Sequence, residues 1–402
     1  MTKRLISILL VLILIIGLVA CGGQETSNDE QEVEENKEEV IEEKEEKSEE
    51  NWKIGIMTGT VVQNEEEYRA AQKVLDKYGE EHVKLMTYPA KFMDEQETTI
   101  SNVVSMASDP DVKALIFVQA IPGASAAIEK AREINPELLV IAGVPGEDPK
   151  MISDKADIVF ALDELAMGTT IPEQAKKQGA TKLVHYSFPR HMSYALLSAR
   201  RDLMKEHCEE IGLEFIGASA PDPTGDAGVS GAQQFILEDV PRMIEKHGKD
   251  IAFFSTNCSM QVPLIKATLE AGGIYPQPCC PSPYHGFPSA LGIEIPEDKK
   301  GDIAYVAGEI DKKIDEKGGD GRFSTWPVPC NMMFIEAGAE YAVDWIKGDI
   351  TEKIDVEAIK EKFKAYANTD VEESIDVKIR TLEEGGQKYD NYFLVLLDFL
   401  NF

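Results

Sequence analysis

Short apolar runs alternate with amphipathic helical patterns along most of this chain, from residue 52 onward. The run from Ala114 to Val118 is apolar throughout, whereas residues 64–78 carry apolar side chains at spacings of three and four, which place one stripe on one face of a helix. Continuous apolar runs are typical of parallel strands that helices cover on both faces. The alternation therefore predicts an α/β fold with right-handed crossovers.

The number of strands favours two sheets over one. Five strand–helix units precede Asp163 and four more follow it. A single sheet of nine or more strands remains possible, but single cores stop growing at about 250–300 residues. We therefore predict two doubly wound parallel-sheet lobes of five or six strands each, with a ligand cleft between them. The predicted lobes comprise residues 51–162 plus about 293–347, and residues 163–292 plus about 348–402.

The N-terminus has the features of an export signal. Lys3 and Arg4 precede an apolar stretch from Leu5 to Ala20, which is shorter than the ~20 residues of a spanning helix. Small residues before Cys21 resemble a bacterial lipobox. We predict a signal peptide at residues 1–20 and lipidation of Cys21, which would anchor the protein on the extracytoplasmic face of the cell membrane. An ordinary cleaved signal or a short anchor with an incidental cysteine are the alternatives.

The next segment predicts a tether. Residues 24–50 contain 14 acidic and 3 basic side chains and no aromatic one. Such a segment cannot bury enough apolar surface to offset the entropy of ordering. We therefore predict that residues 21–50 form a lipidated cysteine and an acidic disordered spacer, with a partly formed acidic helix as the alternative.

Charge and composition exclude several classes of protein. The chain has 402 residues, with 41 basic and 72 acidic side chains, and hence a formal net charge of −31. A nucleic-acid partner is not expected, because it would carry charge of the same sign. A polytopic membrane protein is excluded, because the only long apolar run lies at the N-terminus. We expect a monomer and no cofactor.

The cysteines predict buried thiols. An odd number of cysteines follows Cys21, so at least one thiol is unpaired within the chain. Cys279 and Cys280, followed by His285, suggest a metal site, but no second short Cys or His pair lies nearby to supply the remaining ligands. Structural thiols without a metal ion are therefore the favoured interpretation. The residues concerned are Cys208, Cys258, Cys279, Cys280 and Cys330.

Polar side chains follow the predicted strands at the edge where ligands bind in open parallel sheets. Arg190 is the most informative of them, because a guanidinium offers a fork of hydrogen bonds to a hydroxylated or anionic solute. Each has a competing structural interpretation as a turn, cap or ion-pair residue. The predicted ligand-binding residues are Thr58, Gly59, Thr60, Gln119, Arg190, His191 and Asn257. This mixture suits a small polar solute.

A proline-rich segment adds one more candidate. Residues 275–289 contain five prolines interleaved with aromatic side chains and a histidine. A stiff aromatic loop is suited to the rim of a cleft, and Tyr284 is the predicted ligand-binding residue within it. A long connection held by prolines is the alternative.

Four segments carry a resemblance to a known superfamily. Residues 52–59 are similar to the opening strand and loop of the type I periplasmic binding proteins, of the sugar- and nucleoside-binding kind. Residues 113–122 are similar to the apolar strand that leads into a ligand loop. Helical residues 340–342 and residues 392–398 resemble a poorly characterised lipoprotein branch. The resemblance implies two lobes joined by three crossing strands, a ligand between them, and delivery to a membrane permease with its ATPase subunit.

The resemblance leaves the function partly open. The chain has no phosphate-binding glycine loop, so ATP hydrolysis would belong to its partners. Gln119 stands where sugar binders of the superfamily often have a carboxylate, which argues against a simple hexose or pentose. A ligand-sensing subunit of a signalling receptor is one alternative. A surface-anchored hydrolase using Ser187 with His185, His191 and Asp163 is another, although no Gly-x-Ser-x-Gly elbow frames Ser187; we expect no enzyme.

Overall fold

The computed structural model describes residues 51–61, 63–369 and 374–402. The predicted signal peptide, Cys21 and the acidic tether lie outside the described residues. Residues 51–402 group as one compact unit. Within the described ranges, no helix combines the length and the apolar character needed to cross a membrane.

The strands and helices alternate as the apolar pattern predicts. The strands are β1 (Lys53–Thr58), β2 (Val83–Thr87), β3 (Val112–Val118), β4 (Leu139–Gly143), β5 (Ile158–Leu162), β6 (Lys182–Ser187), β7 (Glu214–Ser219), β8 (Ile251–Ser255), β9 (Ser324–Thr325), β10 (Lys378–Glu384), β11 (Gln387–Leu396) and β12 (Leu400–Asn401). The helices are α1 (Glu65–Tyr78), α2 (Gln96–Ala107), α3 (Ala124–Ile134), α4 (Pro149–Ser153), α5 (Glu164–Lys177), α6 (Ala195–Ile211), α7 (Gly228–His247), α8 (Gln261–Ala271), α9 (Phe287–Leu291), α10 (Ile303–Asp315), α11 (Cys330–Lys347) and α12 (Val356–Ala367).

The first lobe is built on a seven-stranded sheet in the order β10-β11-β5-β4-β3-β1-β2. All neighbours are parallel except the edge pair β10–β11. Alternate residues of its central strands face opposite helical layers. Ile54, Ile56 and Ile116 pack in the core that includes helices α1 and α11, whereas Leu115 and Phe117 pack with helices α2 and α3.

The second lobe has a smaller parallel sheet in the order β7-β6-β8. Isolated bridges from Ala252 to Ile274 and from Tyr275 to Phe323 extend it beyond β8. Side chains of helices α7, α8 and α10 share one core with Val184 and Phe253. Helices α5 and α6 pack against each other on the opposite face.

The sizes of the sheets and the lobe boundaries differ from the predictions. The C-terminal hairpin β10–β11 joins the first sheet, with Tyr392 opposite Val159 in a parallel register, rather than completing a second sheet of five or six strands. Residues 348–369 and 374–396 therefore belong to the first lobe. Helix α10 packs in the second lobe instead of the first. An apolar helical face or strand shows that a segment is buried, but not which of two sheets buries it.

The chain passes between the lobes three times, as the resemblance implies. The crossings lie between β5 and α5, between β9 and α11, and between β11 and β12. Asp163 stands at the first crossing, where its carboxylate accepts two hydrogen bonds of 2.6 Å from Arg380. Gln174 links the other two by donating to Ser324 at 2.9 Å and to Asn401 at 2.5 Å. Gln174 thus ties the second and third crossings together, and Asp163 ties the first crossing to strand β10.

Candidate functional site

The carboxyl ends of the parallel strands in both lobes border one cavity of about 160 Å³. Its lining includes residues that follow β2, β3 and β4 in the first lobe and β6 and β8 in the second. Strand order reverses between β1 and β3, and again between β6 and β8. Ligands bind at this reversal in open parallel sheets, because the loops there diverge and leave a crevice. We call this cavity the cleft.

Four of the eight predicted ligand-binding residues line the cleft. These are Gln119, Arg190, His191 and Asn257. The other four predicted residues, Thr58, Gly59, Thr60 and Tyr284, lie outside its lining. Thr58, Gly59 and Thr60 follow strand β1, and Tyr284 lies in the proline-rich segment, but none of them is part of this lining.

The loop after β1 supports the cleft indirectly. Thr58 is fully buried, and its hydroxyl donates to the Gly59 carbonyl oxygen at 3.1 Å. A Cβ at Gly59 would lie 2.8 Å from the Tyr88 hydroxyl oxygen, and Tyr88 does line the cleft. The Thr60 backbone N–H donates to Gln63, another lining residue, at 3.0 Å. This loop therefore positions the residues that face the cleft.

Arg190 is both a lining residue and half of an ion pair. Its guanidinium donates to both carboxylate oxygens of Asp222, at 2.9 and 3.0 Å, and to the Tyr194 hydroxyl at 2.9 Å. The rings of Phe92 and Phe188 lie 5.7 and 5.1 Å from its central carbon, within cation–π range. Three of its five N–H donors are thus already used.

His191 and Asn257 are held in position by their neighbours. The His191 Nδ1 atom lies 3.0 Å from the Thr256 hydroxyl. Burial and the charge of Arg190 lower the pKa of His191 to about 3, so its ring is neutral at physiological pH. The Asn257 side chain accepts hydrogen bonds from the Ser259 backbone N–H and hydroxyl, at 3.0 and 2.6 Å. Asn257 therefore caps the short turn that begins at Cys258.

Arg200 is a lining residue that the sequence interpretation missed. It projects from helix α6, is 1% exposed, and donates to the Glu164 carboxylate from Nη1. Its Nε and Nη2 atoms have no hydrogen-bond partner in the described part of the chain, and the same holds for Nδ2 of Asn64, also in the lining. Burial raises the pKa of Glu164, and the charge of Arg200 offsets part of this rise. Nothing in the sequence distinguishes Arg200 from any other arginine of an amphipathic helix.

Three cysteines converge on the side of the cleft next to Asn257. The Cys258 sulfur lies 3.5 Å from that of Cys279 and 3.6 Å from that of Cys280. All three line the cleft. Hydrogen bonds from the other two thiols hold the pKa of Cys258 well below its usual value. The sequence analysis did not predict that Cys258 lies next to Cys279 and Cys280. Cys258 follows strand β8, and no short sequence spacing links it to the other two.

Carboxylates of helix α1 reach this cysteine group from the first lobe. Glu66 Oε1 lies 3.4 Å from Nδ1 of His285. Glu67 is fully buried and accepts hydrogen bonds from Gln119 at 3.3 Å and Asn331 at 2.6 Å. Burial, followed by the charges of Cys258 and Glu66, raises the pKa of Glu67 well above its usual value. Consecutive glutamates in a first helical turn are typical of a solvated face, so their burial could not be predicted from the sequence.

Comparison with known proteins places the chain in a family. Residues 52–324 match the model of a family described as protein of unknown function (DUF3798). The chain belongs to the DUF3798 family. Two uncharacterized proteins of Treponema pallidum (strain Nichols) are similar to this DUF3798 chain. One is 34% identical over 53% of this chain and 95% of the relative, and the other is 38% identical over 44% and 82%.

Solved structures identify the fold of the DUF3798 chain. A candidate transcriptional regulator from Clostridium difficile 630 is similar with a TM-score of 0.68 and 24% identity, over 88% of this chain and 99% of that one. An ABC sugar transporter subunit from Rhodobacter sphaeroides 2.4.1 has a TM-score of 0.50 and 11% identity, over 76% and 95%. A periplasmic solute-binding protein from Actinobacillus succinogenes 130z with bound D-allose has a TM-score of 0.50 and 13% identity, over 77% and 99%. The predicted type I periplasmic-binding-protein fold is confirmed.

Proposed function

We propose that this DUF3798 protein is an extracytoplasmic solute-binding lipoprotein. In this proposal it encloses a small polar solute between its lobes and delivers it to an ABC-type permease and its ATPase subunit. The observation that carries the proposal is that two guanidinium nitrogens of the lining residue Arg200, Nε and Nη2, have no hydrogen-bond partner among the described residues. A buried donor without a partner is unfavourable by about 1–3 kcal/mol. A solute that supplies an acceptor there removes this penalty.

The rest of the lining narrows the chemistry of the solute. Arg190 and Arg200 place two guanidinium groups beside the cleft, each paired with one carboxylate, and Asn64 adds an amide nitrogen that has no hydrogen-bond partner among the described residues. The rings of Tyr88 and Phe92 provide apolar faces. Donors that converge on an aromatic-lined space favour a small solute with acceptor oxygens, such as a carboxylate or a ring with several hydroxyls. The side-chain amide of Gln119, another lining residue, already donates a hydrogen bond to Glu67.

Closure about the three crossings is the proposed mechanism. A solute that contacts both lobes binds the closed arrangement better than an open one and so shifts the population toward it. Gln119 of the first lobe already donates to the Cys258 sulfur of the second lobe at 3.4 Å. The Asp163–Arg380 ion pair holds the first crossing against strand β10, so in this mechanism the backbone that moves during closure lies outside the pair.

The location of the protein is proposed from its sequence. A cleaved signal at residues 1–20, a lipid on Cys21 and an acidic spacer to residue 50 would hold the folded body at the extracytoplasmic face of the membrane, within reach of a permease. Metabolic labelling with a fatty-acid analogue tests the anchor. Labelling that persists in a Cys21→Ala variant would contradict it.

A thermal-shift panel tests the proposed function. Residues 51–402, which form one compact unit, are heated with sugars, nucleosides and small carboxylic acids. A solute present at a hundredfold excess over its Kd stabilises the native state by about 2.7 kcal/mol, which raises Tm by several degrees. We expect one chemical class to do so. No shift with any class, or turnover of the solute, would contradict the proposal.

Matched variants connect such a hit to the cleft. Arg200→Lys keeps the charge but loses the planar fork, and we expect it to weaken the hit at least tenfold. Arg201→Lys is the control, because Arg201 is the next residue of the same helix, is outside the cleft lining and donates to Asp202 at 2.6 Å. Equal effects of the two substitutions on affinity would mean that the solute does not bind in the cleft.

The surroundings of His185 favour the transport proposal over the hydrolase alternative. His185 is buried on β6 between the rings of Phe215 and Phe254, each with its centroid 5.8 Å away. Its Nε2 atom has no hydrogen-bond partner among the described residues, Ser187 included. The sensing alternative shares the cleft with the transport proposal. Loss of solute uptake on deletion of the gene supports transport, and normal uptake supports sensing.

A further inference from the structure

One cluster near the cleft has no role in the proposed solute site. It consists of the sulfur atoms of Cys258, Cys279 and Cys280 and the imidazole of His285, and we call it the thiol cluster. Sulfur and imidazole nitrogen are the ligands that Zn²⁺ and other thiophilic cations prefer. The ligand atoms of Cys258, Cys279 and His285 all lie within 4.8 Å of one another.

The spacing within the thiol cluster matches a tetrahedral site. Zinc–sulfur bonds of ~2.3 Å at tetrahedral angles place two sulfur ligands roughly 3.8 Å apart. The Cys258 sulfur lies 3.5 Å from that of Cys279, and the Cys279 sulfur lies 3.9 Å from Nε2 of His285. These separations are far longer than a disulfide bond of ~2.05 Å. The three side chains are therefore arranged as ligands around one point, not as a covalent pair.

The imidazole is already oriented for metal binding. Its Nδ1 atom lies 3.4 Å from Glu66 Oε1, which leaves Nε2 directed at the sulfur atoms. Glu66 is itself held by the Ser282 hydroxyl, which donates to Oε2 at 2.7 Å. A carboxylate behind a ligating histidine fixes the ring orientation and increases its basicity. The Glu66 and His285 side chains are 3% and 6% exposed, so solvent does not compete for this contact.

We propose that Cys258, Cys279 and His285 bind a thiophilic cation of the Zn²⁺ class at the edge of the cleft. The fourth coordination position would face the cleft, because Cys258 and Cys279 line it together with Cys280, whose sulfur lies 3.6 Å from that of Cys258. Three protein ligands with one open position are typical of zinc sites that exchange a bound water or solute. The cation would neutralise two thiolates in a region that already holds the buried carboxylates of Glu66 and Glu67.

The position of the cluster gives the cation a second effect. Cys258, Cys279 and His285 come from the second lobe, whereas Glu66, which orients the imidazole, comes from helix α1 of the first. Ser282 of the second lobe bonds the same carboxylate. A bound cation would therefore strengthen a contact between lobes. This inference is independent of the proposed solute function, because it needs no solute.

Metal binding to the full-length chain tests the inference. The protein is reduced, freed of reductant and titrated with Zn²⁺ against a chromophoric chelator, and with Co²⁺ as a spectroscopic probe. We expect one equivalent of Zn²⁺ and a thiolate-to-cobalt charge-transfer band with tetrahedral visible bands. Binding of Mg²⁺ or Ca²⁺ in place of Zn²⁺ would overturn the proposal, because those cations prefer oxygen ligands. So would the absence of any retained equivalent.

Variants assign the ligands. Cys258→Ser and Cys279→Ser should each lower Zn²⁺ affinity more than a hundredfold, and Glu66→Gln by about 10–100-fold, as for other residues that orient a ligand. Cys208→Ala is the matched control, because Cys208 is a buried thiol of helix α6 outside the cluster. Melting of each variant without metal shows that it is folded. Unchanged affinity in Cys258→Ser and Cys279→Ser, or an equal loss in Cys208→Ala, would overturn the assignment.

Discussion

Two groups of residues in the lining of the cleft differ in what they can bind. The arginine side, Arg190 and Arg200, presents hydrogen-bond donors on long charged side chains. The thiol side, Cys258, Cys279 and Cys280, presents soft acceptors on short ones. Donors without partners call for an acceptor from a solute, whereas clustered sulfur atoms call for a cation. One pair of strand edges can therefore offer two adjacent sites of opposite character.

The two arginines of the arginine side also differ from each other. Arg190 is satisfied by Asp222 and Tyr194 and is 14% exposed at its side chain, so solvent moderates its pairing. Arg200 is 1% exposed and has only Glu164 to balance its charge. The buried pair should consequently dominate both stability and solute affinity. The predictions below test that ranking.

The largest effect is expected from Arg200→Met. This change leaves the Glu164 carboxylate buried without its partner, and breaking a buried pair in this way reduces the free energy of unfolding by about 3–5 kcal/mol. Arg200→Met with Glu164→Gln should recover most of that loss, because neither charge then remains. Urea unfolding of both variants measures it. A double variant as unstable as the single one would show that packing against Phe254, and not charge, decides stability here.

A smaller loss is expected on the first-lobe side of the cleft from Gly59→Ala. The added methyl group would lie 2.8 Å from the Tyr88 hydroxyl oxygen and 3.2 Å from Gln63 Oε1. Overpacking of this kind reduces the free energy of unfolding by about 1–3 kcal/mol. Tyr88→Phe in the same chain removes the closest atom and should restore part of the stability in a thermal melt. No rescue would mean that the contacts with Gln63 Oε1 and the Tyr88 ring, both at 3.2 Å, cause the loss.

These contrasts show where the sequence was informative. The strands could be predicted because runs such as Ala114 to Val118 are apolar at every position, which only a doubly covered sheet requires. Arg190 could be predicted because it follows directly after a strand. Arg200 could not, because it lies within a long helix, and its direction depends on how α6 packs on α5. Contacts between segments that are distant in sequence leave no periodic signal.

The thiol side illustrates the same limit more sharply. Cys279 and Cys280 lie six and five residues before His285, and that proximity suggests a metal site. The missing ligand, Cys258, precedes Cys279 by 21 residues and reaches it only through the return of the chain after helix α8. Likewise, Glu66 belongs to the other lobe. Tertiary structure, and not local spacing, assembles this group.

The pH dependence of stability provides a test at His185, whose pKa is lowered by burial and in part by Arg200. Burial, followed by the charges of Arg200 and Arg201, lowers the pKa of His185 from 6.5 to about 3. The unfolded chain binds a proton near pH 6.5 and the folded chain does not, so stability is full above pH 6.5 and falls as pH decreases toward 3. Between pH 6.5 and 5 this residue should account for a loss of about 1.5 kcal/mol.

His185→Phe isolates that contribution, because carboxylates titrate equally in both proteins. Its neighbours Phe215 and Phe254 accept a ring of similar shape. We expect the difference in free energy of unfolding between variant and wild type to move in favour of the variant as the pH is lowered from 6.5 to 5 in urea titrations. A difference that stays constant over this interval would mean that the imidazole is protonated in the folded state.

The smallest effect is expected at Arg190, and it decides whether the arginine side acts as two residues or one. Because three of its five N–H donors are bound to Asp222 and Tyr194, Arg190→Ala should weaken the solute found in the thermal-shift panel by only about 1 kcal/mol, or roughly fivefold. Arg190→Lys should retain part of that affinity. Isothermal titration measures both. A loss of affinity at Arg190 that equals the loss in Arg200→Lys would mean that Asp222 orients Arg190 toward the solute. The buried and the half-buried guanidinium would then contribute equally to binding.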